Sequence, residues 1–205
     1  MNGSVEYKKA LQLVKEGKHV GNPESVDLLQ RAVSQGYPPA LYALATWYLH
    51  GTGVTKSYKR AIELLKAAVR SGVVPAYYDL AVCYELGKGV RRSLRKAFIH
   101  YLKSAEHGDR EAQVEVARCF FYGQGTAQSY LNAATWYKKA AKRGDPEAQY
   151  AIGRAYELGQ GVRKDLRKAI YWYQKAFDNG DQNAERALKS LSNGKERGKK
   201  RGHSG

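Results

Sequence analysis

The chain has 205 residues, 43% of them hydrophobic, with 16 tyrosines and a formal net charge of +16. No run approaches the roughly 18 consecutive apolar residues of a membrane span, and the first residues, MNGSVEYKKAL, lack the apolar stretch of a secretory signal. A cytoplasmic protein without a membrane span is therefore expected, and its basic excess favours acidic partners.

From Val5 to Gly36 a weak helical pattern is traceable, with Leu28, Leu29 and Ala32 on one stripe and Pro23 and Ser25 as helix-start signals. Residues 1–38 read as a degenerate N-terminal capping repeat. Over 39–182 a unit then recurs four times without insertion. Ala40, Ala76, Ala112 and Ala148 open the copies, and the pair Gly51/Gly53 returns as Gly87/Gly89, Gly123/Gly125 and Gly159/Gly161, always 36 residues apart. The first glycine of each pair suits a left-handed C-cap. Ser57, Ser93, Ser129 and Asp165 follow as N-caps of a second helix. Within it Ala169, Trp172, Tyr173 and Ala176 form one apolar stripe, as do Ala61, Leu64, Leu65 and Ala68. Gly153, where other copies carry Ala45, Ala81 and Ala117, allows a close helix approach. Residues 183–191 predict a capping helix, and 192–205, basic and without an apolar residue, a disordered tail. The sum is eleven helices and no sheet: an all-α, right-handed α-solenoid of helix-turn-helix repeats, capped at both ends and so expected to be a monomer without its partner.

The pattern A-x-Y-x-[LI]-[AG]-x-x-Y-x-x-G-x-G-V, a polar cap, K-A, an aromatic stripe and a closing G-D-x-x-A resembles the Sel1-like repeat, a relative of the tetratricopeptide repeat. The resemblance covers about 70% of the chain, Ala40 to Ala184. It implies an adaptor or scaffold without a shared active site. By the tetratricopeptide arrangement, the third, seventh, tenth and eleventh residues of each first helix would line a concave groove. These are Tyr42, Thr46, Leu49 and His50; Tyr78, Val82, Glu85 and Leu86; Val114, Arg118, Phe121 and Tyr122; Tyr150, Arg154, Glu157 and Leu158. Tyrosine and arginine are frequent binding hot spots; plain family packing is the competing reading, most of all for Tyr42, Tyr78 and Tyr150.

The third copy departs most from its siblings. Phe121-Tyr122 replaces Glu85-Leu86 and Glu157-Leu158, and Ala127-Gln128 replaces the basic pairs Arg91-Arg92 and Arg163-Lys164. An aromatic pair beside Arg118 needs a cover, either a partner or the next repeat. A basic edge gathers at the second-helix starts: Arg91, Arg92, Arg95 and Lys96; Arg163, Lys164, Arg167 and Lys168; more weakly Lys56, Lys59 and Arg60. Cations there oppose the helix dipole, so either solubility or an acidic partner accounts for them.

Nothing points to catalysis, a metal or a cofactor. His19, His50, His100, His107 and His203 have no carboxylate or cysteine at ligand spacing, and His100 takes a stripe position, which reads as a packing histidine. The G-x-G pairs follow helices, so they are not phosphate cradles. Cys83 and Cys119 are expected to be reduced thiols. The expected function is a non-enzymatic scaffold holding a protein or peptide in the groove. Two alternatives stand beside it: a dedicated inhibitor of an acidic toxin or enzyme, of the immunity-protein kind, and binding of nucleic acid by the basic edge and tail.

Overall fold

The computed structural model describes residues 3–15 and 22–201, and among these it has eleven helices and no strand. The chain forms two compact units, Met1–His107 and Gly108–Gly205. The first holds α1 (Ser4–Lys15), α2 (Pro23–Ser34), α3 (Pro38–His50), α4 (Tyr58–Arg70), α5 (Pro75–Leu86) and α6 (Leu94–Glu106). The second holds α7 (Arg110–Tyr122), α8 (Tyr130–Lys142), α9 (Pro146–Leu158), α10 (Leu166–Asp178) and α11 (Gln182–Arg201). Within each unit every helix packs on the next, the consecutive pairing of an all-α solenoid.

Helix ends follow the expected chemistry. Ser57, Ser93, Ser129 and Asp165 each accept from a backbone N–H of the first turn, satisfying a donor that has no partner inside the helix. The bond from the Lys168 N–H, at 3.0 Å, holds the Asp165 carboxyl below its ordinary range. Gly159 closes α9 in left-handed backbone at φ 75°. The second glycine of the pair has a further task. A Cβ on Gly161 would run into the backbone carbonyl of Tyr130, and one on Gly89 would stand 2.6 Å from that of Tyr58, so these glycines let one repeat seat on the start of the previous second helix.

Pro23 opens α2 as expected from its helix-start signals, and one expectation is corrected, at the last helix. The cap of α2 is Asn22, whose side chain accepts from the Ser25 N–H at 2.7 Å while the Ser25 hydroxyl donates to the Asn22 carbonyl. Residues 16–21 of the preceding loop lie outside the described residues. The last helix runs to Arg201 and does not stop near Leu191, so the expected disorder from 192 onward does not hold up to that residue; 202–205 lie outside the described residues. Once a helix exists, each added residue gains a hydrogen bond with no new nucleation cost. Lys, Arg and Glu extend it readily, against about 1 kcal/mol for each of Gly194 and Gly198.

The cores are built from small residues on facing stripes with a few large ones between them. Leu29, Leu65, Leu80 and Tyr101 are fully buried in the first unit, and Val116, Ile152 and Tyr173 in the second. A Cβ at Gly153 would stand 2.8 Å from the Tyr173 ring, so its absence admits that ring. Cys83 and Cys119 are buried free thiols, and burial pushes Cys83 up to about 11. His100 is a packing histidine: it lies parallel to Tyr84 with ring centres 5.6 Å apart. No helix among the described residues is long and apolar enough to cross a membrane.

Candidate partner-binding site

The third residues of the first helices serve packing before anything else. Tyr42, Tyr78 and Tyr150 are half-buried, and Val114 is buried. Tyr78 meets Tyr101 edge-on at 5.4 Å, and Tyr150 lies 5.5 Å from Tyr173. At the seventh positions Thr46 and Val82 are half-buried, whereas Arg118 and Arg154 are exposed. Thr46 donates to the Ala43 carbonyl at 2.7 Å, and Arg118 pairs with Glu115 at 3.2 Å. At the eleventh, His50, Leu86, Tyr122 and Leu158 are all exposed.

The tenth position carries the distinction between repeats. Glu85 accepts from the Tyr101 hydroxyl at 2.7 Å, and Glu157 accepts from Tyr173 at 2.5 Å. Both phenols are buried, so each carboxylate satisfies a donor that would otherwise be stranded. Leu49 is half-buried there in the first repeat, and Phe121 in the third. Tyr137, the counterpart of Tyr101 and Tyr173, is 7% exposed and has no hydrogen-bond partner among the described residues. Burial pushes its phenol well above the ordinary tyrosine range, with Glu147 acting in the same direction, so it remains a donor.

A cavity of about 160 Å³ opens at this place in the second unit. Phe121 and Tyr122 from α7, Tyr130 and Tyr137 from α8, and Tyr150 and Arg154 from α9 form most of its wall. Phe121 contacts Tyr122 and Tyr130 edge-on, at 4.9 and 5.2 Å between ring centres. Arg154 makes no ion pair among the described residues. Of the groove residues expected on α7 and α9, Phe121, Tyr122, Tyr150 and Arg154 come together in this lining, while Val114, Arg118, Glu157 and Leu158 stay outside it. Tyr130, Tyr137 and Glu147 were missed. For Tyr137 a signal existed: it keeps the tyrosine of the second and fourth repeats but loses the glutamate that stands at the tenth position in both.

The basic edge divides into bound and free cations. Arg60, Lys96 and Lys168 lie over the rings of Tyr48, Tyr84 and Tyr156 at 5.5, 5.4 and 5.5 Å. These contacts, worth about 0.5–1 kcal/mol at exposed sites, explain cations placed against the helix dipole. Arg92 donates from Nε to the Glu85 carbonyl at 2.9 Å and so closes α5; Gln128 does the same for Phe121 at 2.7 Å. Lys168 also pairs with Asp165 at 3.2 Å. Arg91 and Arg95 in the first unit, and Arg163, Lys164 and Arg167 in the second, have no ion pair among the described residues. No three His, Cys, Asp or Glu side chains among those residues come together as metal ligands would.

The Sel1 repeat family model matches residues 38–73, 74–109, 110–145 and 146–181, one residue from the repeat frame read in the sequence. No curated protein matches the chain. Among solved structures, a protective antigen of uropathogenic Escherichia coli displaying an SLR fold is 28% identical over 92% of this chain and 41% of its own, with a TM-score of 0.85. A Sel1 repeat protein from Oxalobacter formigenes is 33% identical over 82% of this chain and 49% of its own, with a TM-score of 0.74. The chain thus spans less than half the length of either. Four consecutive matches over most of the sequence, on the helix pairs and glycine turns described above, make this chain a member of the Sel1 repeat family.

Proposed function

We propose that the protein is a non-enzymatic interaction module that holds a segment of a partner protein on the first-helix face of its second unit, around Phe121, Tyr122 and Arg154. The observation that carries this is the cavity in the third repeat, where the carboxylate that pairs with a buried tyrosine in the second and fourth repeats is replaced by an aromatic side chain. Exposed Tyr122 and unpaired Arg154 are residue types that dominate binding energy when a partner covers them. Free cations at Arg91, Arg95, Arg163 and Arg167 favour an acidic partner and speed its approach. Alone, the protein is a monomer.

The net charge of +16 favours a narrower second reading, in which the partner is an acidic enzyme or toxin that this chain captures and inhibits. Nucleic acid would instead show a steep loss of affinity with salt and sensitivity to nuclease.

The test is retention of native-lysate proteins on the immobilised chain, washed at low and high salt. Tyr122→Ala with Arg154→Glu should release the specific partner at both salts. Arg91→Glu with Arg95→Glu should weaken capture at low salt only. Retention unmoved by the first pair and abolished by the second would replace the groove with an outer, acidic-ligand surface.

A further inference from the structure

The third-repeat cavity has the size and polarity of a receptor for one side chain. An apolar cavity of about 150 Å³ takes a benzene ring, whereas drug-sized ligands need roughly 300 Å³ or more. At about 160 Å³ this one fits a single ring, and its aromatic wall offers the edge-to-face contacts rings prefer. Two donors on the wall lack acceptors. Tyr137, more than nine-tenths buried, has no partner for its hydroxyl, although Tyr101 and Tyr173 have glutamates at the matching place. Arg154 pairs with no carboxylate among the described residues. The wall is also polar in direction: Glu147 and Arg154 lie seven residues apart on one face of α9, about 10 Å along the helix. An acid is therefore favoured at the Arg154 end and opposed at the other.

We infer that the cavity receives one phenylalanine side chain of an acidic partner segment, and that a neighbouring carboxylate of that segment accepts from Arg154. This rests on the interaction-module reading and adds the occupant. Charge complementarity supports it twice, through unpaired Arg154 at the cavity and through the +16 of the chain.

The probe is a short capped peptide with phenylalanine flanked by glutamates, compared with one in which alanine replaces the phenylalanine and one in which glutamines replace the glutamates. Amide shifts of the labelled full chain are followed by NMR. Saturable shifts are expected around Phe121, Tyr130, Ala151 and Arg154, with the acidic phenylalanine peptide at least roughly tenfold tighter than either control. Ala151→Phe, which fills the cavity, should abolish binding. Because that variant could instead disturb the fold, Tyr122→Ala serves beside it: Tyr122 is 61% exposed, so its loss leaves the core intact while weakening the peptide. Arg154→Gln should reduce the advantage of the glutamate peptide over the glutamine peptide while phenylalanine is still bound.

No saturable shift at these residues, or equal binding of the alanine peptide, overturns the aromatic occupant. Equal binding of the glutamine peptide overturns the carboxylate. If the peptides fail while Arg154→Glu and Tyr122→Ala still release the lysate partner, only the occupant is wrong; if that release fails as well, the site itself is wrong.

Discussion

In the second repeat Glu85 accepts from Tyr101, Lys96 lies over Tyr84, and Arg92 closes α5. The same three positions in the third repeat are Phe121, Asn132 and Gln128, and only Gln128 keeps its task. Tyr84 has also become Phe120, so the cation and the hydroxylated ring beneath it are lost together. The left-handed glycine ends of the first helices and the serine-capped, 13-residue second helices are the same in both; the first helices differ only at their start, where Val74 gives no side-chain cap and Asp109 does. The third repeat has given up side-chain pairings that hold its sibling together, and a cavity with unpaired donors stands where they were. On the function proposed above, contacts given up while the backbone is kept leave a surface for a partner.

The sharpest way to break this comparison is to make the third repeat like its siblings. Phe121→Glu supplies Tyr137 with an acceptor and puts a carboxylate beside the cavity. Partner affinity is expected to fall by roughly thirtyfold, about 2 kcal/mol, with the melting temperature held or raised. Unchanged retention on the immobilised variant would show that the cavity is not where the partner binds.

The hydroxyl pairs give the next effect. Tyr101→Phe and Tyr173→Phe each remove a buried hydrogen bond to a carboxylate and should cost about 1.5–3 kcal/mol in denaturant unfolding. Tyr137→Phe should be within about 0.5 kcal/mol of the parent, because no partner is lost. Equal costs at all three would contradict the claim that this phenol is spare.

Smaller still is the cation over the ring. Lys96→Met and Lys168→Met should each lose about 0.5–1 kcal/mol. Asn132→Lys in the third repeat should gain less, since Phe120 offers the weaker ring. Equal gain and loss would mean that the lysines act as solvated charge alone.

The fold was legible because its marks are local: a fixed spacing, a glycine that must turn left-handed, a hydroxyl or carboxylate three residues before the N–H it caps. The site was half legible. Phe121 and Tyr122 stood out as departures between copies and Arg154 as a groove position, but Tyr137 sits on a helical stripe and reads as core from period alone. Its meaning lies in a pairing between helices, Glu85 with Tyr101 across 16 residues, that no helical period reveals. The same holds for Arg60, Lys96 and Lys168, read as a surface edge until the rings beneath them are seen. At the C-terminus charge was read as disorder, although the same residue types are good helix formers when a helix is already there to extend.

One position separates the second repeat from its siblings in the other direction. His100 stands where Trp136 and Trp172 stand, and burial, with Lys96 nearby, lowers its pKa below 6.5. Tyr84 lies parallel to the imidazole, Tyr77 is 6.1 Å away, and the imidazole Nδ1 is buried without a partner among the described residues. The folded state therefore holds the imidazole neutral at pH values where the unfolded chain has already taken up a proton. With more protons on the unfolded side, stability rises with pH through this window. The contribution is intact above about pH 6.5 and is lost progressively as the pH falls toward the lower, folded-state value. His100→Trp should flatten that part of the stability curve and leave the plateau near neutral pH within about 1 kcal/mol. Denaturant unfolding at a series of pH values reads it, and an equally steep acid limb in both proteins would place the responsible proton elsewhere.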